Sequence, residues 1–173
     1  DIKKCIFDEA TKLFCSRDYD DVEMRQIARE CGIAVGTLYN YYPNKKELYL
    51  SIIEASWQHT FKSLNKIDEL KIPLKEKIKK YIKTLYEDVE SRKGLSNALF
   101  KSNFGELSGD MRICQVKENI MENVIDLISK VDKKPEFAHD AHINSKIAET
   151  LLVTMVILID VHSKEKEANI KFL

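Results

Sequence analysis

The sequence predicts an all-α protein, and two observations carry that prediction. Three prolines and five glycines in 173 residues are few, and these residue types are the ones that punctuate strands and hairpins. Apolar residues recur every three or four positions along most of the chain, which is the period of a helix that buries one face. The length allows one large domain, or a small module joined to a larger one.

Three short helices are predicted at the start of the chain. Apolar positions across residues 2–14 predict the first, and those across residues 24–31 predict the second, which Gly32 ends as a C-terminal glycine does. Only three residues then separate this helix from a third, predicted over residues 35–41. Two short helices joined by a tight turn that contains glycine make a helix-turn-helix.

Longer helices follow this motif. Pro43 forbids continuation of the third helix, and Asn44 is the predicted N-cap of a fourth. The same apolar period predicts four more helices after that one. The predicted ranges are 45–64, 74 to about 94, 95–104, 111–131 and 140–162.

The last predicted helix is apolar on every side between Leu151 and Ile159. Such a helix must be covered by protein all round. One interpretation is a central helix of the core. The other is a helix that is buried partly by a second subunit, because two long helices late in a chain pair with their symmetry mates in a four-helix bundle, and this interpretation predicts a homodimer.

Charge gives no bulk attraction to nucleic acid. The 28 basic and 28 acidic residues cancel, and residues 1–50 hold eight basic against nine acidic side chains. Any contact with DNA must therefore come from local placement of a few side chains and helix N-termini.

Membrane insertion, secretion and metal binding are not indicated by the sequence. The longest apolar run is half the roughly 20 residues that a bilayer span needs, and Asp1 opens directly into a charged amphipathic stretch, so a cytoplasmic protein without membrane contact is predicted. The four cysteines show no CxxC pairing and no metal-ligand spacing. No disulfide framework, metal or other cofactor is predicted.

The segment RQIARECGIAVGTLYNYYPNKKEL, residues 25–48, resembles the N-terminal domain of the TetR family of transcriptional repressors. That family shows an Arg-x-Ile-Ala helix, a Gly-Val or Gly-Ile turn, a Gly-Thr-Leu-Tyr recognition helix and a Lys-Glu-x-Leu start to the fourth helix. The resemblance covers about the first 55 residues. It implies a DNA-binding domain over residues 1–46, a ligand-binding and dimerisation domain over 47–173, and a repressor that a small molecule releases from a palindromic double-stranded operator.

Four residues are predicted to meet base edges. A helix that enters the major groove needs a small-sided N-terminal end, and Gly36 has no side chain to hold the backbone away. Val35 beside it is predicted to make an apolar contact, for example with a thymine methyl group. Arg25 carries the guanidinium that suits a guanine, a role that the resemblance also implies, and Asn40 suits an adenine unless it is only an exposed polar residue.

Four further residues are predicted to hold phosphate. Thr37, Tyr39 and Tyr41 carry hydroxyl groups that reach phosphate oxygens, and Lys45 lies where its ammonium and exposed backbone amides act together. Such contacts position the protein without reading sequence. By contrast, Lys46 is predicted to be a solvated charge.

Two positions depart from the family pattern. Family members commonly have Thr or Ser where this chain has Val22, and Ser where it has Ala34. Both hydroxyls normally cap a helix, at a cost of about 0.5–2 kcal/mol when absent, unless Asp20 or Asp21 substitutes. A weak or unusual operator is therefore expected.

The resemblance further implies a ligand pocket among the fifth to eighth helices. Aromatic and methionine side chains line adaptable apolar pockets, so a mainly apolar or aromatic small ligand is expected, although ordinary core packing is the alternative for each residue. The predicted lining is Trp57, Phe61, Tyr81, Tyr86, Phe100, Phe104, Met121 and Met155.

Three other functions are compatible with parts of the sequence. An enzyme is disfavoured because no phosphate loop, nucleophile elbow or HExxH motif is present, although His139, Asp140 and His142 lie close in sequence. A redox switch would use one or more of the cysteines Cys5, Cys15, Cys31 and Cys114. A helical interaction protein that has lost DNA binding would fit the zero net charge.

Overall fold

The computed structural model describes residues 1–100, 107, 109–137 and 139–173, without the side chains at 97 and 98, and every regular element in those ranges is helical. The all-α prediction is confirmed. The chain divides into two compact units. We call residues Asp1–His59 with Ser91–Cys114 the head unit, and Thr60–Glu90 with Gln115–Leu173 the body unit.

The head unit opens with the predicted helices. They are α1 (Ile2–Ser16), α2 (Met24–Glu30), α3 (Val35–Tyr41) and the start of α4 (Lys45–Asp68), with a 3-10 turn at Tyr19–Asp21. Asn44 caps α4 as predicted, because its side-chain oxygen accepts a hydrogen bond from the Glu47 amide at 2.8 Å. The short helix α6 (Lys93–Phe100) completes this unit together with the first turn of α7.

The head unit has an aromatic core beneath α1. Phe14 is fully buried on the inner face of that helix. The Tyr49 ring of α4 lies edge-on to the rings of Phe14 and Tyr19, with centroids 4.8 Å apart in both pairs. Such edge-to-face pairs add to the burial of large apolar area, and they join α1, the 3-10 turn and α4.

The body unit consists of longer amphipathic helices. Besides the end of α4 it contains α5 (Leu74–Ser91), the rest of α7 (Met111–Ser129), α8 (Ile143–Val161) and α9 (Lys166–Phe172), with a 3-10 turn at Pro135–Phe137. The apolar stripes predicted for these helices face inward. The buried residues include Leu64, Ile67, Leu85, Val89, Ile120, Val124, Leu127, Leu152 and Ile159.

Several helix boundaries differ from the sequence prediction: α4 ends at Asp68 instead of residue 64, and α8 begins at Ile143 instead of residue 140. Helix α9 was not predicted, and α6 begins at Lys93 instead of residue 95; the far end of that predicted helix, residues 101–104, lies outside the described residues. The predicted domain boundary after residue 46 falls within the head unit and stays a prediction. No described helix is long and apolar enough to cross a membrane.

Candidate DNA-binding surface and ligand groove

The turn between α2 and α3 is closed by a Schellman motif. Gly32 adopts a φ of 65°, in the left-handed region that glycine tolerates without strain. Its amide donates to the Arg29 carbonyl at 3.0 Å, and the Ile33 amide donates to the Ala28 carbonyl, also at 3.0 Å. These two bonds satisfy the last carbonyls of α2 and fix where α3 begins.

Helix α3 divides sharply into a buried face and an exposed one. Leu38 is fully buried, whereas Tyr39 and Tyr41 are 45% and 41% exposed. Gly36 and Asn40 are exposed as well. Helix α3 is therefore amphipathic. Its exposed face forms a polar part of the head-unit surface that carries the hydroxyl groups of Tyr39 and Tyr41.

The other predicted DNA contacts are accessible to different degrees. Arg25 is exposed, while Val35 and Thr37 on α3 are half-buried. Tyr42, which follows α3, is 8% exposed and belongs to the core. The structure thus puts all eight predicted contact residues at least partly at the surface of the head unit.

Gly36 faces open space. A Cβ atom built at this position has no other atom within 4 Å. Nothing in the fold of the head unit therefore requires glycine here, although glycine costs a helix about 1 kcal/mol relative to alanine. A requirement for glycine must come from whatever approaches this surface.

The Lys45 ammonium has partners inside the head unit. It donates to the carbonyls of Tyr19 and Val22 at 2.9 and 3.1 Å and lies 4.2 Å from the centroid of the Tyr19 ring. An ammonium has three donor hydrogens, so one remains for a phosphate. The contact of Lys45 with DNA stays a prediction.

The helix caps differ in part from the expectation. The N-cap of α2 is Glu23, with no side-chain capping bond, while Val22 is fully buried; this position therefore packs into the core instead of capping. Ala34 is the N-cap of α3 and makes no side-chain bond, as expected. The first amides of both short helices are thus left to water or a ligand.

Four charged residues join the first turn of α4 to the first turn of α7. Arg112 donates to both carboxylate oxygens of Glu47 at 2.8 and 2.9 Å, a bidentate pair that fixes orientation. Lys46 lies 3.0 Å from the Asp110 carboxylate. The prediction that Lys46 is a solvated charge was wrong, because Lys46 forms an ion pair with Asp110. The sequence did not show this pair because the two residues are far apart along the chain.

These pairs shift the acid–base equilibria of their members. The hydrogen bonds from Arg112 lower the pKa of Glu47 and correspondingly raise the pKa of Arg112. Burial alone would raise the pKa of Asp110, but Lys46 and the Arg112 amide outweigh burial and lower it. These shifts favour the charged forms of Glu47, Asp110 and Arg112.

Four of the eight predicted ligand-lining side chains are buried in the cores of the two units: Trp57, Tyr81, Tyr86 and Met155. In the head unit Trp57 is 1% exposed and packs edge-on against Phe100. In the body unit the Tyr86 hydroxyl accepts a hydrogen bond from Asn169 at 2.9 Å. Met155 is also buried, Phe61 and Met121 are half-buried, and Phe104 lies outside the described residues.

Tyr81 differs from the other three buried residues. Its side chain is 2% exposed, and its hydroxyl has no hydrogen-bond partner among the described residues. Leaving such a group unsatisfied costs about 1–3 kcal/mol, and burial raises the pKa of this hydroxyl, so it remains a donor. A polar atom of a ligand or a water in the body unit would relieve this cost.

A groove of about 730 Å³ opens within the body unit. Its apolar floor is formed by side chains of α5 and α9, among them Ile78, Ile82 and Ile170. Lys75, Lys79 and Lys83 follow one another at four-residue spacing along α5 and line one side of it. Sequence analysis missed this groove, although the lysine spacing on an amphipathic helix was a signal that could have shown it.

Helix α8 carries apolar residues on two opposite faces. Ala148, Leu152, Met155 and Ile159 are buried within the body unit. On the other side, Ile147, Ile157 and Val161 are 40%, 51% and 69% exposed. The described residues therefore cover only one face of the helix that was predicted to be buried all round.

The residues behind the enzyme alternative lie just before α8. Asp140 pairs with Lys146 at 2.7 Å and accepts from the His142 amide at 2.9 Å, which lowers its pKa. Within the described parts of the chain, His, Cys, Asp and Glu side chains form no group of three that could hold a metal ion.

This fold and surface define a helix-turn-helix protein with a helical body. Residues 6–52 match the family model for bacterial regulatory proteins of the tetR family. The regulator YuxN of Bacillus subtilis, an HTH-type transcriptional regulator, is 26% identical over 137 residues, which cover 78% of this chain and 47% of YuxN. The repressor KstR of Rhodococcus jostii is 36% identical over 56 residues, 32% of this chain and 26% of KstR.

A solved structure extends the likeness over the whole chain. AibR in complex with isovaleryl coenzyme A and operator DNA superposes with a TM-score of 0.72 at 16% identity, covering 100% of this chain and 98% of AibR. The chain spans about half the length of YuxN. Residues 6–52 thus match the tetR family of bacterial regulatory proteins, and the chain as a whole shares the fold of AibR.

Proposed function

We propose that this protein is a transcriptional repressor that binds a palindromic operator as a homodimer and is released from it by a small, mainly apolar ligand. It acts by binding and not by catalysis, in the cytoplasm. One observation carries the proposal: the exposed face of α3, which a glycine turn fixes in place and which Tyr39 and Tyr41 cover with hydroxyl groups. The match of residues 6–52 to the tetR family supports it.

The major groove suits this face. Gly36 lets the backbone of α3 come close to base edges, while Tyr39, Tyr41 and Thr37 reach phosphate on either side. The uncapped amides of α2 and α3 add donors that favour phosphate. Local donors thus compensate for the zero net charge of the chain.

The second copy would cover the exposed face of α8. Ile147, Thr150, Thr154, Ile157 and Val161 alternate at spacings of three and four, which is the stripe that packs against a neighbouring helix. A two-fold dimer presents two α3 helices to two half-sites about one helical turn, roughly 34–36 Å, apart. Exposed apolar area of this kind marks an interaction site.

An acyl-coenzyme A is our first candidate ligand. The structure of AibR contains isovaleryl coenzyme A. In this chain the groove of the body unit offers an apolar floor for an acyl chain and lysines for phosphate, and its volume lies within the range of small-molecule sites. The buried aromatic and methionine side chains predicted from the sequence, among them Tyr81, remain a second candidate site for the ligand.

The proposal is tested first by selecting random duplex DNA with the purified protein at near-physiological salt and footprinting the enriched sequence. A palindromic site whose affinity falls in Tyr39→Ala supports the repressor. If no sequence is enriched even at low salt, where phosphate contacts are strongest, the proposed DNA binding is wrong.

The ligand is tested by titrating acyl-coenzyme A thioesters of increasing chain length onto the protein–operator complex. We expect release of DNA, weakened in Lys79→Gln because the groove loses a cation. Lys80→Gln on the same helix is the matched control, since Lys80 does not line the groove. Equal weakening by both variants would contradict the groove as the ligand site.

A further inference from the structure

Two cysteines of the head unit lie in direct contact although they are 26 positions apart in sequence. The sulfur of Cys5 on α1 is 2.8 Å from the sulfur of Cys31, the residue that ends α2. Both side chains are half-buried and both thiols are free. A disulfide holds its sulfur atoms about 2.05 Å apart, so a bond requires a shift of less than about one ångström.

We infer that Cys5 and Cys31 form a redox-active dithiol pair, which low-molecular-weight disulfides oxidise to an intramolecular disulfide. Neither residue belongs to the predicted DNA contacts, and the inference does not rest on DNA binding. Cys5 also lines a shallow surface depression of about 630 Å³ beside α1, through which a small disulfide reaches its sulfur.

The surroundings give the two thiols different roles. Burial, and then the hydrogen bond with Cys5, raise the pKa of Cys31 to about 12, and the carboxylates of Asp8 and Glu9 act in the same direction. Because Cys5 lines the surface depression and the thiolate is the nucleophile, the Cys5 thiolate attacks first and Cys31 is the resolving thiol.

The chemistry balances with glutathione disulfide as the oxidant. The Cys5 thiolate attacks one sulfur, the glutathione S–S bond breaks, and the first glutathione leaves and takes up a proton. Cys31 then gives up its proton and attacks the Cys5 sulfur, which forms the protein disulfide and releases the second glutathione. Two electrons and two protons pass from the pair to the oxidant.

The proposed disulfide would lie next to the turn that leads into α3. Cys31 directly precedes Gly32, whose turn fixes the start of α3. A disulfide therefore ties α1 to the turn that positions the proposed recognition helix. In a compartment that glutathione keeps reduced, the pair stays a dithiol until the redox potential of the surroundings rises.

The other two cysteines provide the background for the test. Cys15 is half-buried, with a pKa that burial raises, and Cys114 is exposed. A full-length Cys15→Ser/Cys114→Ser variant keeps only the proposed pair. It is equilibrated with glutathione disulfide, quenched with acid and weighed intact by mass spectrometry, and the same sample is digested without reduction.

We expect a mass lower by two hydrogen atoms, no retained glutathionyl group, a peptide that joins Cys5 to Cys31, and full reversal by dithiothreitol. In the same background Cys31→Ser is expected to keep one glutathionyl group on Cys5, because nothing resolves it, and Cys5→Ser to stay unmodified. A glutathionyl group retained on the unmutated pair, or an unchanged mass with both thiols still open to alkylation, would overturn the inference. The intact-mass result on the pair decides this even if a single variant fails to fold.

Discussion

Gly94 rests directly on the last turn of α1: a Cβ atom at Gly94 would lie 2.1 Å from the carbonyl oxygen of Phe14 and 2.3 Å from that of Arg17. The carbonyl of Gly94 in turn accepts a hydrogen bond from the buried Tyr49 hydroxyl at 3.2 Å. Helix α6 is thus held against the end of α1 by backbone contacts that no larger residue permits.

The first prediction concerns this contact. Gly94→Ala forces the backbones of α6 and α1 apart, and overpacking of this kind costs about 1–3 kcal/mol. We expect a lower free energy of unfolding in urea and a lower Tm. Gly36→Ala is the matched control: with open space around its Cβ, it should leave stability unchanged or raise it by up to about 1 kcal/mol. Equal stability of the two variants would refute the close approach.

The second prediction concerns the turn before α3. Gly32→Ala puts a Cβ into the left-handed region, at a cost of about 1–2 kcal/mol. Because a Cβ at Gly32 meets no other atom within 4 Å, the loss measures backbone strain and not crowding. Gly32→Asn should lose less, since asparagine tolerates this region better than alanine. Thermal unfolding of both variants checks this order.

The third prediction concerns pH. Arg112 lowers the pKa of Glu47 below its ordinary value of 4.5, so the ion pair stabilises the fold above that value, and the contribution is lost as the pH falls through the lowered pKa. Both side chains are about a third exposed, so water screens the pair and its worth is at most about 1 kcal/mol. Glu47→Gln should therefore be destabilising at pH 7 and nearly neutral at pH 2–3.

The comparison for this pH effect is Glu54→Gln, a matched removal of charge on the same helix. Unfolding of both variants is followed in urea instead of guanidinium chloride, because urea is uncharged and leaves the ionic strength unchanged. A Glu47→Gln penalty that persists unchanged at low pH would show that the pair is not the cause.

The fourth prediction concerns the exposed face of α8. Ile157→Glu puts a charge into the proposed subunit interface and should shift the protein to the monomer in sedimentation equilibrium. Leu70→Glu introduces the same charge at another exposed apolar residue and should leave the dimer intact. If both variants stay dimeric, α8 does not form the interface.

Local signals predicted the head unit well. The glycine at the end of α2, the three-residue spacing and the Asn44 cap act within a few residues, so the helix-turn-helix and its exposed positions followed from sequence. The position at which a capping hydroxyl was expected to be missing, Val22, is buried in the core, and the N-cap of α2 is the next residue, Glu23.

Contacts between distant residues could not be predicted in the same way. The pairing of Lys46 with Asp110 and of Cys5 with Cys31 depends on how the helices pack. The spacing of apolar residues along the sequence does not indicate such pairs. Helix α9 has only seven residues, and its one buried side chain is the polar Asn169, which donates to the Tyr86 hydroxyl and the His162 carbonyl. An apolar stripe could not show it.

The central claim is that the exposed face of α3 enters the major groove, and Gly36→Ala tests it most directly. Its affinity for the selected operator is measured beside that of the unmodified protein by fluorescence anisotropy at fixed salt, after thermal unfolding has shown an intact fold. Since the added methyl group lies within 4 Å of no atom of the described residues, we predict a stable variant that binds the operator at least tenfold more weakly, about 1.4 kcal/mol. Unchanged affinity in a folded Gly36→Ala would contradict close approach of α3 to DNA.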